Sequence, residues 1–475
     1  MSNLADKTVL VIGLGKSGAA AARFLQKKRA QVTVVDSAES DDLERQASHL
    51  RSEGIEVLLG AQDAPEGKFD FGVLSPGVPP TLPLVKQLRY GGLHLISELE
   101  LGYQHSLCLN IAITGTNGKT TTTELVERIL TQNQKRTVTA GNIGTPLTAV
   151  VEQTKELDLL TLEVSSFQLE AIQYFRPSIA ILLNITADHL DRYASMDEYA
   201  RSKARIFESQ QVFDWAIIQS EALARLKAIG VKIPAKIITF SVVDEEADIY
   251  LDRGLIISRL HNWTGPLLNM EECRLMGPHN AENLMAALAV ARVLRLPLEE
   301  VQKSLQSYVP AAHRCEVVAA VKGVRYVNDS KATNPDALDK ALQTMPPGKK
   351  GEKNIFLIAG GRDKGFEYHS VGPQISKRVK HAFLIGETRE KLRASWSLFT
   401  PCTLVGSLLE AVTEAAEQAV SGDIVLLSPA CSSFDMFQNY QHRGDVFRQS
   451  VEHMERTMDG SETSCRPISG SGESE

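Results

Sequence analysis

A glycine-rich loop followed by a lysine and consecutive hydroxyl groups is the segment of this sequence with the clearest chemical signature. It reads I-A-I-T-G-T-N-G-K-T-T-T over residues 111–122, where an apolar strand pattern runs into a turn and then into a helix. Such a loop turns backbone N–H groups and the Lys119 ammonium toward phosphate oxygens, and it places the Thr120 hydroxyl where magnesium can bind it. The loop departs from the strict phosphate-loop pattern because Ile113 replaces the first glycine. The alternative is a glycine turn with a surface lysine.

Two further polar residues follow neighbouring apolar runs. Glu163 closes the run 157–162, and His189 lies in the turn N-I-T-A-D-H-L-D after the run 179–183. Ligands of an open parallel sheet gather at the carboxyl ends of its strands, so we expect both side chains to face the phosphates held at Lys119. Taken singly, each is equally consistent with a turn residue whose hydrogen bonds are satisfied locally.

A second glycine motif opens the chain. Gly13, Gly15 and Gly18 form G-x-G-x-x-G between a strand and a helix, and Asp36 ends the next strand. These glycines let the backbone approach a phosphate at a helix N-terminus, but they do not specify the nucleotide. A nucleotide-diphosphate site, NAD and a purely structural turn all remain open from these residues.

Three polar loops follow strands in the last third of the chain. They read N-D-S-K-A-T-N (328–334), G-G-R-D-K-G (360–365) and S-P-A-C-S-S-F-D (428–435). Loops on one edge of a sheet form a common binding face, so the set predicts a third site for an anionic ligand. The alternative is a set of unrelated structural turns.

Three successive series of strands and helices must position these residues. The apolar patterns predict, among others, strands at 8–12, 31–35, 71–74 and 424–427 and helices at 19–28 and 281–294. A length of 475 residues predicts about three domains. The strand and helix patterns predict an α/β fold with a Rossmann-like N-terminal domain, a central phosphate-loop ATPase-type domain with a mostly parallel sheet, and a Rossmann-like C-terminal domain. We place these domains at residues 1–98, 99–311 and 312–458, with hinges near 98–103 and 310–313, and we expect a disordered tail at 459–475.

The composition excludes several classes of protein. Apolar residues make up 43% and charged residues 23% of the chain, as in ordinary soluble enzymes. The net charge of -7 with mixed signs argues against a nucleic-acid partner. Six cysteines without a C-x-x-C pair argue against a zinc site or a disulfide framework. Without a long apolar run, we expect no membrane association and a cytoplasmic protein, which we take to be a monomer.

The motifs together resemble the Mur ligase family. They are G-T-N-G-K-T-T, G-N-I-G, L-E-V-S-S-F-Q-L-E, N-I-T-A-D-H-L-D-R-Y, H-N-A-E-N, H-R, N-D-S-K-A-T-N and S-P-A-C-S-S-F-D-M-F, and their order holds up to about Gln449. The resemblance implies an ATP- and Mg²⁺-dependent amide ligase of peptidoglycan precursor synthesis. The S-P-G-V-P segment at 75–79 looks like that of the members that add D-glutamate to UDP-N-acetylmuramoyl-L-alanine through an acyl phosphate.

The resemblance also implies roles for individual residues at the nucleotide. Lys119, His189 and Lys203 would be catalytic, and magnesium would be served by Thr120, Glu163, His189 and Lys203. The residues implied to bind ATP are Gly115, Thr116, Asn117, Gly118, Lys119, Thr120, Thr121, Asn280, Asn283, Arg314 and Asp329.

The two other substrates would have separate groups of residues. The residues implied to bind the UDP precursor are Gly15, Ser17, Ser37, Ser75, Gly77, Asn142, Ser165 and Gln168. Ala38 stands where relatives often carry an arginine. The residues implied to bind on the C-terminal domain, with D-glutamate surrounded by the last four, are Lys331, Thr333, Lys364, Ser433, Phe434 and Tyr440.

Lys203 lies on a predicted helix over 195–207, which opens with Ser195 and Glu198 at capping-box spacing. The lysine shares a helix face with apolar residues, so we expect it to point at the core. Burial would lower its pKa, and a neutral amine can react with carbon dioxide to form a carbamate. The alternative is a lysine that reaches solvent along its stem. The resemblance implies the carbamate.

Two other function classes compete with the ligase. An NAD-dependent oxidoreductase would use Asp36 and the first glycine motif, but it leaves the Lys119 loop unexplained. A phosphate-loop switch or transport ATPase would use that loop, but it leaves the third domain unexplained.

Overall fold

Three β-sheets organise the chain in the computed structural model, which describes residues 3–190, 192–275, 277–310, 312–348 and 351–458. The predicted tail at 459–475 lies outside the described residues. The chain divides into two compact units, Met1–Val309 and Pro310–Glu475. The first unit contains a five-stranded and a nine-stranded sheet, and the second contains a six-stranded sheet.

The five-stranded sheet has the order β3-β2-β1-β4-β5, with every pair parallel. This order matches the first five strands of the Rossmann order 3-2-1-4-5-6, in agreement with the predicted Rossmann-like domain. The helices are α1 (Lys16–Lys27), α2 (Asp41–Ser52), α3 (Pro83–Tyr90) and α4 (Glu98–His105). The strands are β1 (Thr8–Ile12), β2 (Gln31–Val35), β3 (Glu56–Leu58), β4 (Phe71–Leu74) and β5 (Leu95–Ser97).

The nine-stranded sheet has the order β14-β13-β12-β11-β10-β9-β6-β8-β7. It is parallel from β7 to β12, and β13 and β14 join it as antiparallel strands. The strands are β6 (Leu109–Thr114), β7 (Thr137–Gly141), β8 (Leu159–Glu163), β9 (Ile179–Leu182), β10 (Trp215–Gln219), β11 (Lys236–Ser241), β12 (Ile249–Asp252), β13 (Leu255–Ser258) and β14 (Gly265–Asn269).

Helices cover both faces of this sheet. Helix α10 is buried at every position from Ala281 to Ala291, because its many small and apolar side chains let it pack closely against the sheet and α5. The helices are α5 (Lys119–Gln132), α6 (Leu147–Val150), α7 (Ser166–Leu169), α8 (Met196–Ala204), α9 (Ser220–Ala228), α10 (Pro278–Val293) and α11 (Leu298–Gln306).

The second unit is built on a sheet of order β15-β16-β20-β17-β18-β19, parallel except for β15. The strands are β15 (Glu316–Val321), β16 (Val324–Asn328), β17 (Ile355–Gly360), β18 (Val379–Ile385), β19 (Cys402–Leu404) and β20 (Ile424–Leu427). The helices are α12 (Pro335–Thr344), α13 (Gly372–Arg378), α14 (Arg389–Trp396), α15 (Leu408–Gln418) and α16 (Tyr440–Met458).

Several predicted bounds were wrong by a few residues. The first helix begins at Lys16 instead of residue 19, because Gly15 is its N-cap. The helix predicted from residue 281 begins at Pro278, where the fixed φ of proline suits a first turn. Among the described residues, no helix has the length and apolar character to cross a membrane.

Candidate active site

The phosphate loop joins β6 to α5 at the carboxyl edge of the nine-stranded sheet. Gly118 has φ +86°, a conformation that glycine adopts readily, and a side chain there would collide with Asn283. The Lys119 ammonium donates to the carbonyls of Gly115 (2.9 Å) and Thr116 (2.8 Å). The Asn117 N–H donates to Asn184 Oδ1 (2.9 Å), which ties the loop to the segment after β9. The lysine therefore lies over the loop whose amides would surround a phosphate.

Asn280 and Asn283 lie beside this loop, at the first turn of α10. Asn283 Nδ2 donates to Asn280 Oδ1 (3.1 Å), and Asn283 Oδ1 accepts from the Thr122 hydroxyl (3.1 Å). The structure thus brings both of these asparagines, which are predicted to bind ATP, close to the loop that carries Lys119.

Glu163 ends β8, next to β6 in the sheet, and is almost completely buried. Its Oε1 accepts from Asn142 Nδ2 (2.9 Å), while Oε2 has no hydrogen-bond partner among the described residues. Gln168 and Ser165 form a reciprocal capping box at α7. The predicted metal ligand and the predicted precursor contacts therefore lie at one edge of the sheet. A buried carboxylate oxygen without a hydrogen bond to the described residues is unusual and suggests a ligand at this place.

Lys203 is 1% exposed, which confirms the predicted burial and contradicts the alternative of a solvent-reaching stem. Its ammonium donates to the Gly115 carbonyl (2.8 Å), which also accepts from Lys119, and it lies 4.5 Å from the centre of the Tyr199 ring. Burial lowers the pKa of Lys203 well below its usual value, and the nearby Lys119 charge lowers it further, while Asp188 opposes the shift. Lys203 is consequently biased toward a neutral amine.

His189 occupies the turn after β9 with φ +54°, a conformation that side-chain-bearing residues seldom adopt. Its ring centre lies 4.6 Å from that of Phe167 and 6.2 Å from that of Tyr199. No group of three or more His, Cys, Asp or Glu side chains in the described part of the chain is arranged to hold a metal. The predicted magnesium set contains two residues of these types, Glu163 and His189.

Side chains that follow neighbouring strands hold the glycine loop of the first sheet in place. Asp36 accepts hydrogen bonds from the N–H groups of Leu14 (2.7 Å) and Ala38 (2.9 Å). The Ser75 hydroxyl donates to the Gly13 carbonyl (2.8 Å). Because both oxygens of Asp36 are bonded to the backbone, they offer little to the ribose of NAD. The remaining predicted precursor residues at the carboxyl ends of β1, β2 and β4 are Gly15, Ser17, Ser37 and Gly77.

In the second unit, the loops after β16 and β20 are joined by Arg443, which the sequence analysis did not identify. Its guanidinium is fully buried and donates to the Ser330 hydroxyl (3.0 Å), the Ser330 carbonyl (2.8 Å) and the Cys431 carbonyl (3.1 Å). Burial lowers its pKa to about 10, so it stays charged. Its helical spacing with Phe447 and Val451 could have indicated that Arg443 lies on the buried face of α16.

The predicted residues of the second unit fall around this framework. Asp329 is buried between the Cys315 N–H and the Ser428 hydroxyl, and burial raises its pKa to about 7 although the Arg314 charge opposes the shift. The Lys331 ammonium lies 3.9 Å from the centre of the Tyr440 ring.

The other predicted residues lie in the same loops. Ser433 is buried, and Phe434 is 65% exposed. Thr333 is half-buried, in the loop of Lys331. The Lys364 ammonium lies 5.9 Å from the centre of the Phe366 ring, in the loop whose Arg362 N–H donates to the Ser432 carbonyl (2.9 Å).

Comparison with known proteins assigns each sheet to a known domain type. Family models match at residues 7–97 (Mur ligase MurD-like, N-terminal domain), 113–291 (Mur ligase middle domain) and 313–431 (Mur ligase, glutamate ligase domain). A relative from Acidobacterium capsulatum is 40% identical over 452 residues, covering 94% of this chain and 96% of that protein. The chain belongs to the Mur ligase family.

Other Mur ligases agree with this assignment. A relative from Geobacter metallireducens is 38% identical, covering 94% of this chain and 98% of that protein. Both relatives are named UDP-N-acetylmuramoylalanine--D-glutamate ligase. Among solved structures, the MurC ligase of Thermotoga maritima (18% identity, TM-score 0.58) covers 94% of this chain and 99% of its own. The MurF ligase of the same organism, in complex with ADP (15% identity, TM-score 0.60), covers 98% and 100%. These structures confirm the predicted fold of three α/β domains.

Proposed function

We propose that this Mur ligase uses ATP to join D-glutamate to UDP-N-acetylmuramoyl-L-alanine through an acyl phosphate, in the synthesis of peptidoglycan precursors. The observation that carries the proposal is the meeting of Lys119 and Lys203 at the Gly115 carbonyl of the phosphate loop. The Lys119 ammonium and the loop amides suit the phosphate groups of a nucleotide, and the buried Lys203 lies beside them at the same carbonyl. The names of the relatives support the choice of substrates.

The first step transfers a phosphoryl group to the precursor. A carboxylate oxygen of its alanyl group attacks the γ-phosphorus of ATP, the bond to the bridging oxygen breaks, and ADP leaves with the electron pair. Lys119 and the N–H groups of residues 115–118 neutralise the charge on the phosphoryl oxygens. Asn280 and Asn283 hold the adenine end of the nucleotide beside the loop.

Magnesium fits the residues at the carboxyl edge of β8. The buried Glu163 Oε2 has no hydrogen-bond partner within the described ranges of the chain, and Mg²⁺ prefers carboxylate and hydroxyl oxygens such as those of Glu163 and Thr120. When bound, the ion would neutralise charge on the phosphate oxygens. We assign His189 and a modified Lys203 to the same group of ligands.

The surroundings of Lys203 support the modification that the family resemblance implies. Its neutral amine attacks the carbon of carbon dioxide, a new N–C bond forms, and one proton passes to water, which leaves a carbamate with one negative charge. This change replaces a buried cation beside Lys119 with an anion, so the repulsion between the two lysines becomes an attraction.

The second step forms the amide. The amine of D-glutamate attacks the acyl-phosphate carbonyl, the tetrahedral intermediate expels phosphate, and the amine loses one proton. We assign the acceptor to the loops of the second unit, where Lys331, Thr333, Lys364, Ser433, Phe434 and Tyr440 offer cations, hydroxyls and aromatic rings. Arg314 and Asp329 are assigned to the nucleotide, as predicted from the resemblance. Water would hydrolyse the acyl phosphate, so it must be excluded during this step.

The cellular setting follows from the substrates. ATP and a UDP-linked precursor are cytoplasmic metabolites, so we place the enzyme in the cytoplasm. The monomeric state stays a prediction that sedimentation velocity can check.

Phosphate release tests the proposal. With ATP and Mg²⁺ present, we expect release that requires both UDP-N-acetylmuramoyl-L-alanine and D-glutamate, with L-glutamate as the control acceptor. Release that is indifferent to both substrates would support a phosphate-loop ATPase instead. Reduction of NAD without phosphate release would support the oxidoreductase.

A further inference from the structure

Arg192 joins the turn that carries His189 to the loop that follows β4 in the N-terminal domain. Its guanidinium donates to the carbonyls of Pro76 (3.2 Å) and Val78 (3.4 Å). The same group forms a forked ion pair with Glu170, with Nε 3.1 Å from Oε1 and Nη2 2.6 Å from Oε2. The two side chains are 12% and 15% exposed, so water screens the pair weakly. One side chain therefore connects the two sheets of the first unit.

The guanidinium also supports the unusual conformation of His189. It lies 4.0 Å from the centre of the Phe167 ring, and the His189 ring contacts the same phenyl group. The Arg192 N–H donates to the His189 carbonyl (3.0 Å). A left-handed histidine persists when its surroundings fix it, and these surroundings include the Arg192 backbone N–H and the Phe167 ring, both of which Arg192→Lys retains. The loop at 75–79 and the His189 turn are thus parts of one packed assembly.

We propose that Arg192 is a positioning residue that transmits the anchoring of the precursor's UDP group, on the N-terminal domain, to the alignment of its carboxylate at the phosphate loop. This role rests on the proposed function. The UDP group and the reacting carboxylate lie at opposite ends of the precursor, and we assign them to different sheets. Binding at one end orients the other end when the connection between the sheets is stiff.

The geometry makes Arg192 difficult to replace. A guanidinium offers five donors in a fixed plane, so it serves Glu170 and two carbonyls at once. A lysine at this position keeps the charge, but its single ammonium cannot reach both sides. Arg192→Lys should leave the phosphate loop and the glycine loop intact and loosen the connection between them.

The test compares the full precursor with N-acetylmuramoyl-L-alanine, which lacks the UDP group. In Arg192→Lys we expect kcat for the full precursor to fall about tenfold, because small misplacement of reacting groups is costly. The KM for ATP and the rate with the truncated precursor should stay within about twofold of wild type, since neither uses the connection. The ratio of the two kcat/KM values should therefore shrink about tenfold.

Arg205→Lys is the matched control. Arg205 donates to the carbonyls of Glu170 (2.6 Å) and Ile172 (2.9 Å), so it shares the neighbourhood of Arg192, but these contacts lie within the middle domain. Its substitution should leave the ratio unchanged. Glu170→Gln is a second variant that keeps the shape of the side chain and removes the ion pair, and it should shift the ratio in the same direction as Arg192→Lys.

An unchanged ratio in Arg192→Lys and Glu170→Gln would overturn the proposal, and so would an equal loss with both precursors, which indicates general structural damage. If Arg192→Lys does not fold, the ratio in Glu170→Gln decides. Failure of the proposed function would look different, because the wild-type enzyme would then release no phosphate in response to precursor and D-glutamate.

Discussion

Two cations are fully buried in the part of the chain that the structure describes, and their surroundings differ. Lys203 in the first unit donates to the Gly115 carbonyl and has a second ammonium, Lys119, beside it. Arg443 in the second unit donates to three oxygens of Ser330 and Cys431. Burial lowers the pKa of both, but that of Arg443 stays at about 10. The charge of Lys203 is therefore poorly compensated, whereas each nitrogen of the Arg443 guanidinium donates a hydrogen bond.

The difference separates a reactive group from a structural one. A poorly compensated lysine can lose its proton and act as a nucleophile, whereas a guanidinium remains protonated in proteins. The first unit therefore carries the site at which we propose ligand binding and lysine modification. The second unit has loops that are fixed in advance by a permanent charge. Substitutions of the two cations should have different consequences, a loss of activity for Lys203 and a loss of stability for Arg443.

The largest effect is expected at the phosphate loop. Lys119→Ala should reduce turnover by about 10³-fold, because it removes charge from the transferring phosphoryl group. The fold should be preserved, since the ammonium contacts loop carbonyls and little of the core. Steady-state kinetics and circular dichroism measure the two outcomes. Lys135→Ala, just beyond the far end of α5, is the control, and an active Lys119→Ala enzyme would refute the phosphate assignment.

The next effect concerns the reactive cation itself. Lys203→Ala should reduce turnover by about 10²-fold, because it removes the proposed carbamate. A short carboxylic acid such as acetate should restore part of the activity by occupying the vacated space. The same acid should not restore Lys119→Ala, where a positive charge is missing. A substrate complex at high resolution with an unmodified, water-exposed Lys203 would contradict the carbamate.

The structural cation should act on stability. Arg443→Met should lower the free energy of unfolding of the second unit by about 2–4 kcal/mol, because buried acceptors lose a charged donor. Arg448→Met, on the same helix but at a partly exposed ion pair with Glu316, should cost less than about 1 kcal/mol. Native-state hydrogen exchange of the loops at 328–334 and 428–435 measures both. Equal costs would remove the distinction between the two arginines.

The smallest effect is expected at the proposed acceptor site. Lys364→Ala should raise the KM for D-glutamate about tenfold, since a single charge-assisted contact to a carboxylate is lost. The KM for ATP should remain unchanged, and Lys377→Ala, at an exposed position of α13, should alter neither value. Equal changes in the KM for D-glutamate and the KM for ATP would indicate that Lys364 contacts the nucleotide and not the acceptor.

Several apolar strands of the fold were predictable from the sequence. The strands Thr8–Ile12, Gln31–Val35, Phe71–Leu74 and Ile424–Leu427 have the predicted bounds, because most of their residues are apolar, as is typical of parallel strands. Strand β7, with the sequence T-V-T-A-G, was missed because it lacks a continuous apolar run. The hairpin of β12 and β13 was also missed, although Arg253 and Gly254 mark its turn with positive φ.

The candidate site was predictable where a local sequence pattern indicates the role of a residue. The glycines and Lys119 of the phosphate loop, and the buried face of α8 that carries Lys203, follow from local patterns. The roles of Arg192 and Arg443 were not predicted because their hydrogen-bond partners are distant in sequence. Arg443 lies 113 residues from Ser330, and Arg192 lies 116 residues from Pro76. Tertiary structure alone brings such partners together.

Isotope transfer tests the central claim most directly. The carboxylate of UDP-N-acetylmuramoyl-L-alanine is labelled with ¹⁸O, and the released phosphate is analysed by mass spectrometry after one round of ligation. An acyl phosphate requires one ¹⁸O atom to pass from the precursor to phosphate for each amide bond formed, because the carboxylate oxygen that attacks ATP leaves with the phosphoryl group. Phosphate that carries no label while the amide forms would contradict the account.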